Sequence, residues 1–374
     1  MANKAEVVVY GASGYTGKLI NERLAQRGIP FIAAGRSQKR LEEALAELPS
    51  SAKVRGEPRT VEHNERALTE LFKGARVVVN VTGPFGQIGR PVAEATLAAG
   101  AHYVDTTGEP DWMQLLKSDF HEGYKKKRLV CCPALAYMWA AGEVAAELAL
   151  ETDGIDSVDV LYAPASLPTI ASTLSFLRMV TKGQYFLLNN QLALWPKNAT
   201  ITASVPHAHQ IMRCLPWGGG AEPLWYQDHP RVRNARTVVA LSDEGVNWIL
   251  SVQKEYEEAA KRLSPAELEE LTNKWGNERT PVSPPRENPD YNRTVISVRA
   301  RGRNVGREVV LYGSASYEQT GVFIAEGVQR LLEGKEKGHG WISPSQAFGH
   351  RELIRALVED NFLQEPPPRP GRNG

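Results

Sequence analysis

Apolar residues follow two alternating rhythms through the first third of the chain. Short continuous runs, Val7-Val8-Val9-Tyr10, Phe31 to Ala34 and Val77-Val78-Val79-Asn80-Val81, recur between stretches where apolar residues return every three or four positions. The runs read as strands buried on both faces. The wider spacing of Leu19, Ile20 and Leu24, and of Leu41, Leu45 and Leu48, reads as amphipathic helices. Gly28 falls where a helix C-cap belongs, Pro91 at a favoured first helical position, and Gly100 at a stop. Tyr103-Val104-Asp105 and Leu129-Val130-Cys131 supply two more short strands. Strands separated by helices predict right-handed βαβ units and a doubly wound parallel sheet over residues 1–134.

The rhythm changes near Pro133. Longer strands of alternating polarity are expected at Ser157–Ala163, Ala199–Val205, Thr237–Leu241, Thr294–Arg301 and Glu308–Gly313, the last two forming a hairpin around Gly302 and Asn304. Helices are expected at Ala171–Thr181, Glu244–Lys261 and Pro265–Lys274, with an exposed loop from Gly276 to Tyr291. Residues 135–314 thus read as an inserted α+β domain on a mostly antiparallel sheet, for substrate or dimerisation. Helices at Tyr317–Leu332 and Ser345–Val358, within 315–364, are expected to pack back on the first domain, and 365–374 to form a disordered tail.

Composition narrows the function. A formal net charge of +1 over 374 residues offers no global field for nucleic acid. The three cysteines, Cys131, Cys132 and Cys214, make neither a disulfide framework nor a zinc motif, so no metal is expected. The chain enters a strand almost at once, leaving no signal-peptide core, and its most apolar helical stretch, Tyr137–Leu150, is short and carries Glu143 and Glu147. A cytoplasmic protein with no membrane span is expected.

The first strand runs into Gly11-Ala12-Ser13-Gly14-Tyr15-Thr16-Gly17 and then a helix. A strand–glycine turn–helix aims backbone N–H groups and the positive end of a helix dipole at one place, which suits a pyrophosphate. This is the turn of a Rossmann domain, with Gly11, Ser13, Gly14, Tyr15, Thr16 and Gly17 as cofactor-binding candidates. Where an acidic residue would hold the ribose of NAD, this chain has Arg36, followed by Ser37, Lys39 and Arg40. A guanidinium pairs with a 2′-phosphate, so NADP(H) is the expected cofactor. Thr82, Gly83, Pro84 and Phe85 leave the same sheet edge and could wall the dinucleotide; a tight turn with a core Phe is the alternative.

Asp105-Thr106-Thr107-Gly108-Glu109 could face the nicotinamide or cap the next helix, and Asp105 joins the cofactor candidates. Tyr137, beside the domain junction, and His207, which shares a strand-like face with His209, are the candidate catalytic residues. Trp195, Trp217, Trp225 and Tyr226, around Gly218-Gly219-Gly220, could line an apolar pocket or serve packing. No Tyr-x-x-x-Lys pair occurs, which argues against a short-chain dehydrogenase.

The glycine turn, Ala34-Gly35-Arg36-Ser37, Val81-Thr82-Gly83-Pro84-Phe85 and Gly100 through Glu109 together resemble the saccharopine dehydrogenase-like oxidoreductases. The branch most similar is that of the trans-acting enoyl reductases of actinobacterial lipid synthesis. Thr320-Gly321 to Gly327-Val328 and Ser343 to Gly349 look like the family's closing helices. The resemblance implies an NADP-binding Rossmann domain completed by C-terminal helices, with an inserted domain and a possible homodimer. The expected function is an NADPH-dependent reductase acting on an activated C=C of an apolar small-molecule intermediate. Ketone or imine reduction, opine-type dehydrogenation with Arg178, Lys182 and Arg213 as possible basic members, and non-catalytic NADP(H) binding are the alternatives.

Overall fold

The computed structural model describes residues 5–206, 211–217, 221–280, 282–366 and 368. The chain forms two compact units. The first holds Met1–Thr107, Asp111–Ala140 and Tyr317–Asp360; the second holds Gly108–Pro110, Ala141–Ser316 and Asn361–Gly374.

The first unit begins β1 (Val7–Tyr10), α1 (Tyr15–Arg27), β2 (Phe31–Gly35), α2 (Gln38–Ala46), β3 (Glu57–Thr60), α3 (Glu65–Phe72), β4 (Val77–Asn80). It continues α4 (Phe85–Ile88), α5 (Arg90–Ala99), β5 (His102–Asp105), α6 (Pro110–Lys126), β6 (Val130–Cys132). The apolar runs are the buried strands: every residue of β1, β4 and β5 is buried. β3, with the sequence Glu-Pro-Arg-Thr, is almost wholly exposed and shows no apolar run. Gly28 and Gly100 close α1 and α5 as the pattern predicts.

After β6 a π-helical turn, Tyr137–Ala141, leads into the second unit. That unit runs α7 (Gly142–Leu150), β7 (Ile155–Pro164), α8 (Ile170–Val180), β8 (Tyr185–Leu188), β9 (Gln191–Leu194), β10 (Ile201–Ser204), β11 (Ile211–Pro216). It then runs α9 (Ala221–Tyr226), β12 (Asn234–Leu241), α10 (Asp243–Ala260), α11 (Pro265–Arg279), β13 (Arg293–Gly302), β14 (Gly306–Ser314). Six strands are ordered β10-β11-β12-β7-β13-β14, and β8 pairs with β12 and β9. All pairings are antiparallel except β12 with β7. α7 packs on β7, β13 and β14, and α9 on β12. Within this unit Glu222 is fully buried, accepting from Tyr162 Oη (2.7 Å) and Thr237 Oγ1 (3.0 Å), and burial pushes its carboxyl up to about 7. The loop expected from Gly276 is helical as far as Arg279, because Gly276 is buried where a Cβ would stand 2.6 Å from Leu174 of α8.

The chain re-enters the first unit with α12 (Ser316–Leu332), β15 (Gly340–Trp341), α13 (Pro344–Phe348) and α14 (His350–Glu359). The single helix expected over Ser345–Val358 is two, broken at Gly349 with φ +86°, a left-handed conformation that glycine adopts without strain. β15 completes a sheet of seven parallel strands, ordered β15-β6-β5-β4-β1-β2-β3. α12 lies on α1. Arg23 pairs with Glu318 (2.9 Å), Arg27 with Glu326 (2.7 Å), and Tyr15 meets Tyr317 edge-on. Arg76 donates to the carbonyls of Leu332 (2.9 Å) and Leu331 (3.2 Å), placing a cation at the negative end of α12.

A Cβ at Gly321 would sit 3.3 Å from Arg23 Cγ and 3.4 Å from the Leu19 backbone. Gly321→Val should therefore push α12 off α1 and cost about 1–3 kcal/mol. Urea unfolding would measure the loss, and limited proteolysis should cut within 317–360 before the rest of the chain.

Candidate functional site

The strand order of the first sheet reverses between β1 and β4, and ligands of open α/β sheets bind outside the carboxyl ends of the strands at that point. The register sets Tyr10, the last residue of β1, opposite Ala34 on one side and Asn80 on the other. The loops after β1, β2 and β4 therefore leave the sheet flush with one another.

Of the three glycines after β1, two are required by the chain itself. Gly11 has φ +97°, and a Cβ there would stand 2.9 Å from the Val81 carbonyl oxygen and from Thr82 Cγ2. A Cβ at Gly17 would overlap the Gly11 carbonyl oxygen and lie 2.9 Å from the Ala12 backbone, so only glycine lets α1 pack on the turn. Gly14 differs. Its φ is −76°, and a Cβ would have only the Gly11 oxygen, at 3.3 Å, within 4 Å. It stands at the N-cap of α1 without a side-chain cap, where a helix's first N–H groups lack intrahelical acceptors. Ser13, Gly14, Tyr15 and Thr16 are all half-buried. Buried Asn21 secures the turn from below, donating to the Ala12 carbonyl (2.9 Å).

Beyond β2, Arg36 is exposed and takes part in no hydrogen bond or ion pair among the described residues. Ser37 caps α2, its Oγ accepting from Arg40 N (3.4 Å), and exposed Lys39 lies 3.9 Å from Glu43. Beyond β4, Thr82, Gly83 and Pro84 are half-buried, whereas Phe85 is buried and packs inward. The wall expected from Pro84-Phe85 therefore lacks its ring.

Asn80, which the sequence pattern does not single out, shapes that loop. Its Oδ1 accepts from Thr82 Oγ1 (2.6 Å) and Thr82 N (3.1 Å), and its amide donates to Tyr103 Oη (3.1 Å). The one signal that could have found it is a polar residue ending a valine strand at a buried position.

Asp105 corrects an expectation. It has no solvent exposure, and its carboxylate receives four hydrogen bonds from the protein. Oδ1 accepts from Thr107 N (3.0 Å) and Ala134 N (2.8 Å); Oδ2 accepts from Tyr103 Oη (2.8 Å) and Trp112 Nε1 (2.9 Å). Both oxygens are committed to the fold, so it is not a cofactor ligand. Burial pushes its pKa up to about 6, against the opposing pull of these donors. Glu109 is likewise buried, accepting from Ser175 Oγ and Arg178 Nη1, each at 2.7 Å, within the second unit.

Tyr137, the catalytic candidate beside the domain junction, is buried in the π-helical turn, its N–H donating to Thr320 Oγ1 (3.0 Å). His207 and His209 lie outside the described residues, as do Gly218-Gly219-Gly220. Trp225 and Tyr226 are buried in α9, and Trp217 packs on Phe176 (centroids 5.4 Å). No helix among the described residues is long and apolar enough to cross a membrane.

Residues 7–132 match the model of the saccharopine dehydrogenase NADP binding domain, and residues 140–367 that of a family of unknown function, DUF5938. The chain is 34% identical over 133 residues to a lipid droplet localized protein of Caenorhabditis elegans, covering 33% of this chain and 31% of that one. It is 32% identical over 133 residues to a saccharopine dehydrogenase-like oxidoreductase of Homo sapiens, covering 31% and 30%. A Mycobacterium tuberculosis protein provisionally named a trans-acting enoyl reductase is 36% identical over 114 residues, covering 29% and 26%. These matches span about a third or less of the relatives' length. Saccharopine dehydrogenase (L-Glu forming) of Saccharomyces cerevisiae superposes with a TM-score of 0.61 at 11% identity, over 98% of this chain and 100% of that one. The fold is shared with it: a parallel Rossmann sheet plus a second, mixed sheet.

The buried carboxyl of Asp105 makes a pH prediction. Its pKa, about 6 when folded against an ordinary 3.8, means the folded chain binds the proton more tightly. Stability from this group is thus complete below pH 3.8 and is lost as pH rises through about 6. The stability of wild type minus that of Asp105→Asn, measured by urea unfolding, should fall by about 2 kcal/mol from pH 4 to 7.

Proposed function

The chain belongs to the DUF5938 family and carries a saccharopine dehydrogenase NADP-binding domain; from that premise we propose an NADPH-dependent reductase. It delivers hydride to an activated carbon–carbon double bond, conjugated to a carbonyl, in an apolar small-molecule intermediate. The observation that carries the cofactor half is Gly14, a glycine at the helix N-terminus where a Cβ would press on the Gly11 carbonyl oxygen, at 3.3 Å, and otherwise face open space. That open side suits a pyrophosphate lying against the turn.

In this reading the turn from Gly11 to Gly17 holds the pyrophosphate, with Ser13, Tyr15 and Thr16 beside it. Arg36, which has no protein partner among the described residues, pairs with the 2′-phosphate, and Ser37 and Lys39 flank it. Thr82, Gly83 and Pro84, braced by Asn80, border the dinucleotide. Bound NADPH supplies the hydride, and the chain supplies alignment.

Reduction of a C=C is favoured by the name of the Mycobacterium tuberculosis relative, and the lipid-droplet relative fits an apolar substrate. Opine-type chemistry needs cations available to a substrate carboxylate. The three basic residues considered for it have other partners: Arg178 pairs with Glu109, Lys182 lies 3.8 Å from Glu269, and Arg213 donates to Asn247 and lies 3.6 Å from Asp243.

Fluorescence titration with NADPH and NADH tests the cofactor. The wild type should prefer NADPH, and Arg36→Ala should reduce that preference at least tenfold, the scale of a lost charge-assisted pair. Absence of binding by either dinucleotide would sink the reading. Gly14→Ala should weaken NADPH at least tenfold while shifting Tm by no more than about 2 °C, whereas Gly17→Ala should cost roughly 2 kcal/mol or more of stability. NADPH oxidation across enones, ketones and imines then tests the acceptor; turnover of imines or ketones alone would replace the C=C assignment.

A further inference from the structure

We infer that His63, set in place by Tyr10, is a second contact for the 2′-phosphate beside Arg36 and so helps decide which dinucleotide the protein takes. The inference rests on the NADPH reading above and names a residue that reading does not use.

Three strand ends bring the groups together. Gly35 of β2 pairs with Thr60 of β3, and the Val61 N–H donates to the Gly35 carbonyl (3.0 Å). Arg36 and His63 therefore leave the same sheet edge from adjoining loops. Tyr10, ending β1, is opposite Ala34 of β2. Its ring is buried, its hydroxyl lies 2.8 Å from His63 Nδ1, and the two rings are within 7° of parallel with centroids 6.0 Å apart. Phe72 also meets the Tyr10 ring edge-on, with centroids 6.5 Å apart. His63 itself is half-buried, so part of its ring remains accessible.

The pairing bears on what the other ring nitrogen does. Burial raises the Tyr10 pKa above its ordinary value, with the charge of Arg36 acting in the opposite sense, so the phenol stays protonated at neutral pH. That phenol proton can be donated to Nδ1, an arrangement that puts the ring proton on Nε2. An anion beside Nε2 selects this arrangement over its mirror, in which Nδ1–H donates to the phenol oxygen and Nε2 accepts. With the phenol donating, Nε2 is a donor. It suits a phosphate oxygen better than a neutral hydroxyl, because a hydrogen bond to a charged acceptor is about twice as strong. Nearby carboxylates have other partners: Glu57 pairs with Arg59, and Glu62 accepts from Asn64 Nδ2 (3.1 Å).

Calorimetric titration of NADPH, NADH, adenosine 2′,5′-bisphosphate and 5′-AMP tests this on wild type, His63→Ala, His63→Phe, His63→Gln, Tyr10→Phe and Arg36→Ala. His63→Phe keeps the ring against Tyr10 and removes both nitrogens, so it answers the question even if the alanine variant fails to fold. The NADPH:NADH affinity ratio, and with it the bisphosphate:AMP ratio, should fall about tenfold in His63→Ala and His63→Phe, through weaker binding of the phosphorylated ligands. His63→Gln, which retains a donor, should keep most of the ratio, and Tyr10→Phe should lose part of it. An unchanged ratio in His63→Phe while Arg36→Ala abolishes it would overturn this inference and leave the NADPH reading standing. Equal weakening of both dinucleotides would also overturn it, making His63 a support for the fold or the adenine. A wild type indifferent between NADPH and NADH would remove the cofactor assignment and this inference together.

Discussion

One buried carboxylate ties together the edge of the sheet on which the candidate site depends. Asp105 ends β5, and its four donors come from the loop that follows it, from α6, from its own strand and from the chain leaving β6. Through Tyr103 the same network reaches Asn80 and the Thr82 loop. It also fixes Ala134, a non-glycine residue held at φ +58°, where the chain turns out of β6. Such a group is costly to bury and costly to disrupt, since removing it would orphan two backbone N–H groups and an indole in the interior. What resembles a substrate-facing acid in the sequence is instead the fastening for several separate segments.

The site is then largely a matter of register. Seven parallel strands place the ends of β1, β2 and β4 level, so loops distant in sequence meet along one edge. Among the described residues, the protein adds little chemistry of its own there beyond backbone donors, one unpaired guanidinium, the Tyr10–His63 pair and a braced loop. That economy fits a protein whose reactivity belongs to a bound dinucleotide.

Much of this edge is legible in the sequence because local signals and buried position coincide. Val7–Tyr10 and Val77–Asn80 are apolar throughout because both faces are covered, and the glycine turn follows at fixed spacing. Arg36 stands out because its position after β2 is set by the same spacing. The rest depends on partners that spacing does not reveal. β3 is an exposed edge strand with no apolar run, so it and the His63 loop after it carry no periodic signal. β8, β9 and β11 escape the pattern for a related reason: their residues are largely half-buried or exposed and do not alternate cleanly. Asp105 misleads because its burial requires Trp112 and Ala134, and Phe85 because nothing local says that it points inward.

The unequal roles of the three turn glycines bear on how this scaffold can diverge. Gly11 and Gly17 answer to the chain's own backbone at several atoms, whereas a Cβ at Gly14 would press only on the Gly11 carbonyl oxygen, at 3.3 Å. Genetic drift is therefore held back by the need to fold most firmly at the first and last of the three. If the middle one serves a cofactor as proposed, a lineage released from catalysis would keep its shape and its surface while that position changed. Inert copies, recruited for whatever their surfaces already bind, are then an accessible fate for duplicated genes of this kind.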